Sequence, residues 1–173
     1  VFAAFELARI FFAGSPDAIL VAPDIGAAKT LKNIAKGLNL PMAVASKFRP
    51  SKEKVEIMEI VGDFTGKKKA IIIDDIISTG STIFEVAKLL SNSKGINATY
   101  IAAAHLLGVD QCCTNFRTLQ TNYNLKSIYT TNSVLPAENL DDLGIINIIN
   151  LAELYTLVIN RLVNNESVSI MLE

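Results

Sequence analysis

Asp74 and Asp75 stand side by side at the end of an apolar run, Ala70-Ile-Ile-Ile. Ile76 and Ile77 come next, then Ser78-Thr79-Gly80-Ser81-Thr82, and then a helical pattern begins. These residue types build a phosphate pocket without lysine. Backbone N–H groups, hydroxyls and a helix N-terminus can cradle one phosphate. Paired acids can hold a sugar diol or, through water, a magnesium ion. No Gly-Lys-Ser/Thr occurs, so this is not a Walker A loop. The plainer alternative makes the acids a solvated strand end and Ser78 or Ser81 a helix cap.

Two further segments carry compatible chemistry. In Pro23-Asp24-Ile25-Gly26, glycine lets backbone approach an anion and the following helix start favours negative charge. Asp24 is a candidate magnesium ligand, or simply a turn or capping aspartate. In Lys47-Phe48-Arg49, Lys47 is a point charge and Arg49 a bidentate fork for phosphate. Lys47 to Lys54 is highly charged, contains Pro50 and reads as a mobile loop.

The elements that must position these residues follow from apolar patterning. Val1 to Ala13 reads as a helix, ended by Gly14-Ser15-Pro16-Asp17. Ala18 to Ala22 and Ala70 to Ile73 are continuous apolar runs, as expected of strands covered on both faces. Further strands are expected over Pro41 to Ser46, Val55 to Val61, Thr99 to Ala104, Ser127 to Tyr129 and Ile145 to Ile149. Helices are expected over Ala27 to Leu38, Ser81 to Ser91, Asp110 to Tyr123 and Leu151 to Leu162. Strands alternating with helices argue for an α/β domain with a mainly parallel sheet, whose ligands bind at the C-terminal strand ends.

The totals bound the function. The chain has 173 residues, enough for one domain with a real core or for half of a two-domain enzyme. Its net charge is -1 and its pI about 5.9, so no global basic field draws nucleic acid or an anionic membrane. Half the residues are hydrophobic and the mean hydropathy is +0.37. No run reaches the ~20 apolar residues of a membrane span, so the excess reads as core plus subunit interface. The opening stretch has no basic leader, which argues against a signal peptide. Cys112 and Cys113 are adjacent, fit a reducing cytoplasm and are expected on a helix. His105 is the only histidine and reads as a strand-end structural residue.

Taken in order, Pro23-Asp24-Ile-Gly26, Lys47-Phe-Arg49-Pro50, Val61-Gly-Asp-Phe-Thr-Gly-Lys67 and the Asp74-to-Thr82 loop form an ordered set. The set resembles the C-terminal half of ribose-phosphate pyrophosphokinase, also called phosphoribosyl diphosphate synthetase. The loop alone resembles the phosphoribosyl-diphosphate motif of the wider phosphoribosyltransferase-fold superfamily. Tyr129-Thr-Thr-Asn-Ser-Val-Leu-Pro136 and Asn164-Asn-Glu-Ser-Val-Ser169 are similar to stretches of the synthetase tail. The chain departs from the family pattern at Ala27, Phe48, Ser78 and Ser81.

The resemblance implies one phosphoribosyltransferase type I-like domain over residues 1–173, a three-layer α/β fold with helices on both faces of a mainly parallel sheet. It would match the C-terminal half of the synthetase, without the N-terminal half that supplies adenine-binding residues and a catalytic-site histidine. The implied reaction moves a diphosphoryl group from Mg-ATP to the 1-hydroxyl of ribose 5-phosphate, with Mg2+ as cofactor and ATP as co-substrate. Asp74, Asp75, Ser78, Thr79, Gly80, Ser81 and Thr82 would hold ribose 5-phosphate. Asp24 and Gly26 would meet the diphosphate, Asp24 as metal ligand. Lys47 and Arg49 would be catalytic. Implied partners are ribose 5-phosphate, ATP and either further copies or a domain equivalent to the N-terminal half, with no nucleic acid or membrane. Two other readings stay open: a stand-alone phosphoribosyltransferase, which would need a base-recognising hood that the sequence does not offer, and a non-catalytic synthetase-associated regulatory protein.

Overall fold

In the computed structural model the described residues are 15–48 and 57–168. They form a seven-stranded sheet in the order β3-β2-β1-β4-β5-β6-β7. The strands are β1 (Ala18–Ala22), β2 (Met42–Phe48), β3 (Ile57–Val61), β4 (Lys69–Ile77), β5 (Ala98–Leu106), β6 (Leu125–Thr131) and β7 (Ile146–Ile149). All neighbours pair in parallel except β2 and β3, which are antiparallel. The helices are α1 (Ile25–Leu38), α2 (Ser81–Ser93), α3 (Cys112–Asn122) and α4 (Ala152–Val163), with a short 3-10 turn over Glu138–Leu143.

The expected α/β architecture is present, and burial shows why. Every β1 side chain is 0% exposed, which requires cover on both faces. On one face α1 lays Leu31, Ile34 and Ala35 against Leu20, Ile71, Ile73 and Ala102. On the other, α2 and α3 lay Ile83, Val86, Leu90, Phe116 and Leu119 against Ile19, Val21, Ile72 and Ile101. Burying each such Leu, Ile or Phe is worth roughly 1.5–3 kcal/mol before the entropy of ordering it. Helix α4 differs: none of its residues is buried, and Tyr155, Leu157, Ile159, Leu162 and Val163 lie on the surface of the chain. Among the described residues, no helix is long and apolar enough to cross a membrane.

Three boundaries correct the sequence expectation, and each bears on the site. Strand β4 does not stop at Ile73. It continues through Asp74 and Asp75 to Ile77, because β5 runs alongside to Leu106 and keeps its hydrogen-bonding partners. Strand β2 does not stop at Ser46. It carries Lys47 and Phe48, paired to Met58 and Ile57 of β3, so the charged segment begins as a hairpin strand rather than a loop. Helix α1 starts at Ile25, not Ala27, so Gly26 belongs to its first turn. The expected helix over Val1 to Ala13 and the rest of the charged loop, Arg49 included, lie outside the described residues.

Candidate functional site

Strand order reverses direction between β1 and β4. From β1 the chain crosses over α1 to β2 on one side; from β4 it crosses over α2 to β5 on the other. The two crossover helices lie on opposite faces, so a crevice opens at the C-terminal ends of β1 and β4, where open α/β sheets bind ligands. Strand β1 ends at Ala22, and its pairing with β4 stops at Val21 beside Ile72. Beyond that point the β1 side of β4 is uncovered, and Asp74 and Asp75 occur there.

A cleft of about 410 Å³ is lined by Pro23, Asp24, Ile25, Gly26, Ala45, Ser46, Lys47 and Thr82. A second hollow of about 180 Å³ is lined by Asp74 and by Ile76 through Ile83. Thr82 lines both, so the two volumes adjoin. The fold therefore gathers Asp24, Gly26, Lys47, Asp74 and Ser78 to Thr82 at one crevice. Asp75 is exposed next to Asp74 and lines neither hollow. Arg49 is outside the described residues.

Asp24 caps α1. Its Oδ1 accepts the Ala27 N–H at 2.9 Å. A side chain at Gly26 would place its Cβ 3.1 Å from the same oxygen, so glycine leaves room for the carboxylate. The cap and the exposed cleft position coexist, because a carboxylate has lone pairs to spare.

Burial pushes the Asp74 carboxyl up to about 7, and the nearby Asp75 and Asp24 carboxylates push the same way. The Asp75 N–H, donating to Asp74 Oδ1 at 2.9 Å, works against this. Asp75 Oδ1 in turn accepts the Ile76 N–H at 2.8 Å. Acids that crowd like this favour a cation, a hydroxyl or a proton between them.

The loop after β4 does not follow the alternative that made Ser78 or Ser81 a helix cap. The residue at the N-terminal cap of α2 is Gly80, at φ 71°, and no side chain caps the helix. Neither Ser78 nor Ser81 has that role. Thr79 Oγ1 and Ser81 Oγ lie 2.8 Å apart and share a hydrogen bond. The helix N-terminus therefore opens toward the hollow with hydroxyls around it, the arrangement that suits an anion.

His105 lies within β5, opposite Ile76 of β4. Its Nδ1 is 2.6 Å from Ser133 Oγ, and Thr131 Oγ1 donates to Ser133 Oγ at 2.8 Å. The expected helical cysteines open α3; burial pushes the Cys112 thiol up to about 12, and Cys113 Sγ contacts the Asn139 carbonyl at 3.1 Å. Ala45 and Ser46 on the cleft wall, and Gln111 and Asn115 behind the loop, had no sequence signal.

Comparison with known proteins bears on the family and the fold. Residues 36–173 match the family model described as "Phosphoribosyl synthetase-associated domain". A ribose-phosphate pyrophosphokinase of Aquifex aeolicus is 33% identical over 151 residues, covering 87% of this chain and 46% of that protein. One from Bacillus cereus is 33% identical over 159 residues, covering 91% of this chain and 48% of that protein. The crystal structure of phosphoribosylpyrophosphate synthetase from Mycobacterium smegmatis superposes with a TM-score of 0.76 at 25% identity, over 93% of this chain and 49% of the other. Adenine phosphoribosyl transferase from Trypanosoma brucei shares the fold, with a TM-score of 0.53 at 22% identity, over 90% of this chain and 75% of the other. The chain spans about half the length of the synthetases it matches. With four-fifths of its length inside one family model, the chain belongs to the phosphoribosyl synthetase-associated domain family.

Proposed function

We propose that this chain is the ribose 5-phosphate-binding part of a ribose-phosphate diphosphokinase, a single domain equivalent to the C-terminal half of the full-length enzyme. The observation that carries this reading is the crevice between β1 and β4, which collects the Ser78 to Thr82 loop, Asp24, Asp74 and Lys47 around adjoining hollows. In this assignment Ser78 to Thr82 bind the 5-phosphate, while Asp74 and Asp75 hold the ribose hydroxyls. Asp24 and Gly26 face the diphosphate. Lys47, with Arg49 beyond the described residues, meets the transferring group.

In the reaction the ribose O1 forms a bond to the β-phosphorus of ATP. The bond from that phosphorus to the α,β-bridging oxygen breaks, AMP leaves and the hydroxyl proton is released. The protein supplies positioning and charge neutralisation, the main levers in phosphoryl transfer. A single supplied cation can be worth ~10³ to 10⁵ in rate, which sets what Lys47 and Arg49 would contribute.

Magnesium fits the donor set in a limited way. Asp24 and Asp74 offer hard carboxylate oxygens close enough to repel each other. Among the described residues no three or more His, Cys, Asp or Glu gather as a metal cage. Magnesium commonly takes one or two carboxylates and completes its shell with water and substrate phosphates. Bound between Asp24 and a diphosphate, it would neutralise charge on the transferring group.

Calorimetry on the 173-residue chain tests the reading. Ribose 5-phosphate should bind at least about tenfold more tightly than ribose, since phosphate contacts at a helix N-terminus are charge-assisted. Equal affinity for the two sugars would overturn the assignment.

A further inference from the structure

The Ser78–Thr82 loop is fastened from behind by α3 and the segment leading into it. Asn115 Nδ2 donates to the Thr79 carbonyl at 3.1 Å, a contact 36 residues apart in sequence. A carbonyl can only accept, so the amide of Asn115 must present its NH2 group there. Gln111 Nε2 approaches Ser81 Oγ at 3.4 Å. The Val109 N–H donates to the Ser78 carbonyl at 3.1 Å and the Leu107 N–H to the Ile77 carbonyl at 2.9 Å. Gly80 rests on α3 as well: a Cβ there would meet Cys112 Sγ and the Phe116 ring, each at 3.3 Å.

The two polar ends of a trans peptide unit point in opposite directions. With the Thr79 C=O held toward α3, the Gly80 N–H of the same unit is turned away from α3. That direction is the open one, because the hollow beside the loop is lined by Asp74 and Ile76 to Ile83 and takes nothing from α3. Glycine tolerates both signs of φ, so a peptide ending at Gly80 is free to flip unless something holds it. A flipped unit would aim a carbonyl oxygen at the anion site.

We propose that Asn115 is a positioning residue that locks the Thr79–Gly80 peptide with its N–H toward the bound phosphate. The proposal rests on the reading that this loop holds a phosphate. It adds a determinant on a helix that contributes no side chain to the hollow.

The test is Asn115→Asp, which keeps the shape and removes the donor, with Asn115→Ala as a second variant should the first fail to fold. Ribose 5-phosphate affinity is expected to fall about tenfold, the upper range for losing one hydrogen bond. In the unaltered chain, ribose 5-phosphate should move the Gly80 amide proton resonance downfield; in the variant that shift should be lost. A variant that keeps both affinity and shift overturns the proposal. If the unaltered chain binds no ribose 5-phosphate, the functional reading fails instead. The Gly80 amide of the ligand-free chain then decides the positioning role: an unchanged resonance in Asn115→Asp overturns it, and a displaced one upholds the lock.

Discussion

The two walls of the crevice are built differently. The β4 wall is packed before any ligand arrives. Its loop is bonded to α3 through Asn115, to the preceding segment through Val109, and backed by the buried Cys112 and Phe116. The β2 wall presents an exposed Lys47 on a strand whose antiparallel partner, β3, is the edge of the sheet. A packed wall suits a ligand that must be held in one place. An exposed lysine at a sheet margin suits a group engaged only when the substrate is complete. Binding and transfer should therefore respond to different mutations.

The sharpest way to break that contrast is to remove the acids of the β4 wall. Asp74→Ala combined with Asp75→Ala should lower ribose 5-phosphate affinity by about 100-fold or more, since each charged hydrogen bond contributes roughly 1.5–3 kcal/mol. The circular dichroism spectrum should be unchanged, because neither side chain belongs to the apolar core. Calorimetry that finds the original affinity would move the site elsewhere.

Lys47→Ala probes the other wall. Affinity for phosphoribosyl diphosphate should fall about tenfold, as for loss of one charge-assisted contact. Affinity for ribose 5-phosphate should stay within about twofold. A parallel loss for both ligands would mean that Lys47 serves the β4 wall too.

Much of this arrangement was legible in the sequence, and the exceptions have physical causes. Ala18 to Ala22 and Ala70 to Ile73 announce covered parallel strands by lacking any polar alternation. The loop Ser78 to Thr82 reads as an anion cradle by residue type, and its residues do line one hollow. What sequence could not supply is pairing. Asp74 and Asp75 look like a strand end because acids rarely continue a buried strand, yet pairing with β5 carries the strand four residues past Ile73, to Ile77. Lys47 and Phe48 look like a loop until β3 folds back against them. Asn115 looks like one more polar position on an amphipathic helix, and its partner Thr79 is visible only when α3 packs beside α2.

The burial of Asp74 gives a pH dependence with a definite sign. Its carboxyl titrates near 7 in the folded chain, against an ordinary value of 3.8. Between those values the folded state keeps a proton that the unfolded chain has lost. This group's contribution to stability therefore falls as pH rises from about 4 to about 7, then levels off. Asp74→Asn should melt at a higher temperature than the unaltered chain at pH 8, with the difference shrinking toward pH 5. Melting curves that keep a constant separation across that range would place the charge in solvent rather than in a packed wall.

The smallest effect separates packing from backbone conformation within the β4 wall. Gly80 and Gly66 have nearly the same left-handed backbone, φ 71° and φ 70°. A Cβ at Gly80 would press on Cys112 and Phe116, whereas at Gly66 nothing lies within 4 Å. Both alanine substitutions incur the conformational cost of a side chain in that region, about 1–2 kcal/mol. Only Gly80→Ala also displaces a fully buried ring, which adds an overpacking cost of about 1 kcal/mol or more. Gly80→Ala should therefore melt several degrees below Gly66→Ala, at about 2–4 °C per kcal/mol for a chain of this size. Equal melting temperatures would mean that α3 yields to the loop, and a wall that yields could not hold the Thr79–Gly80 peptide in one orientation.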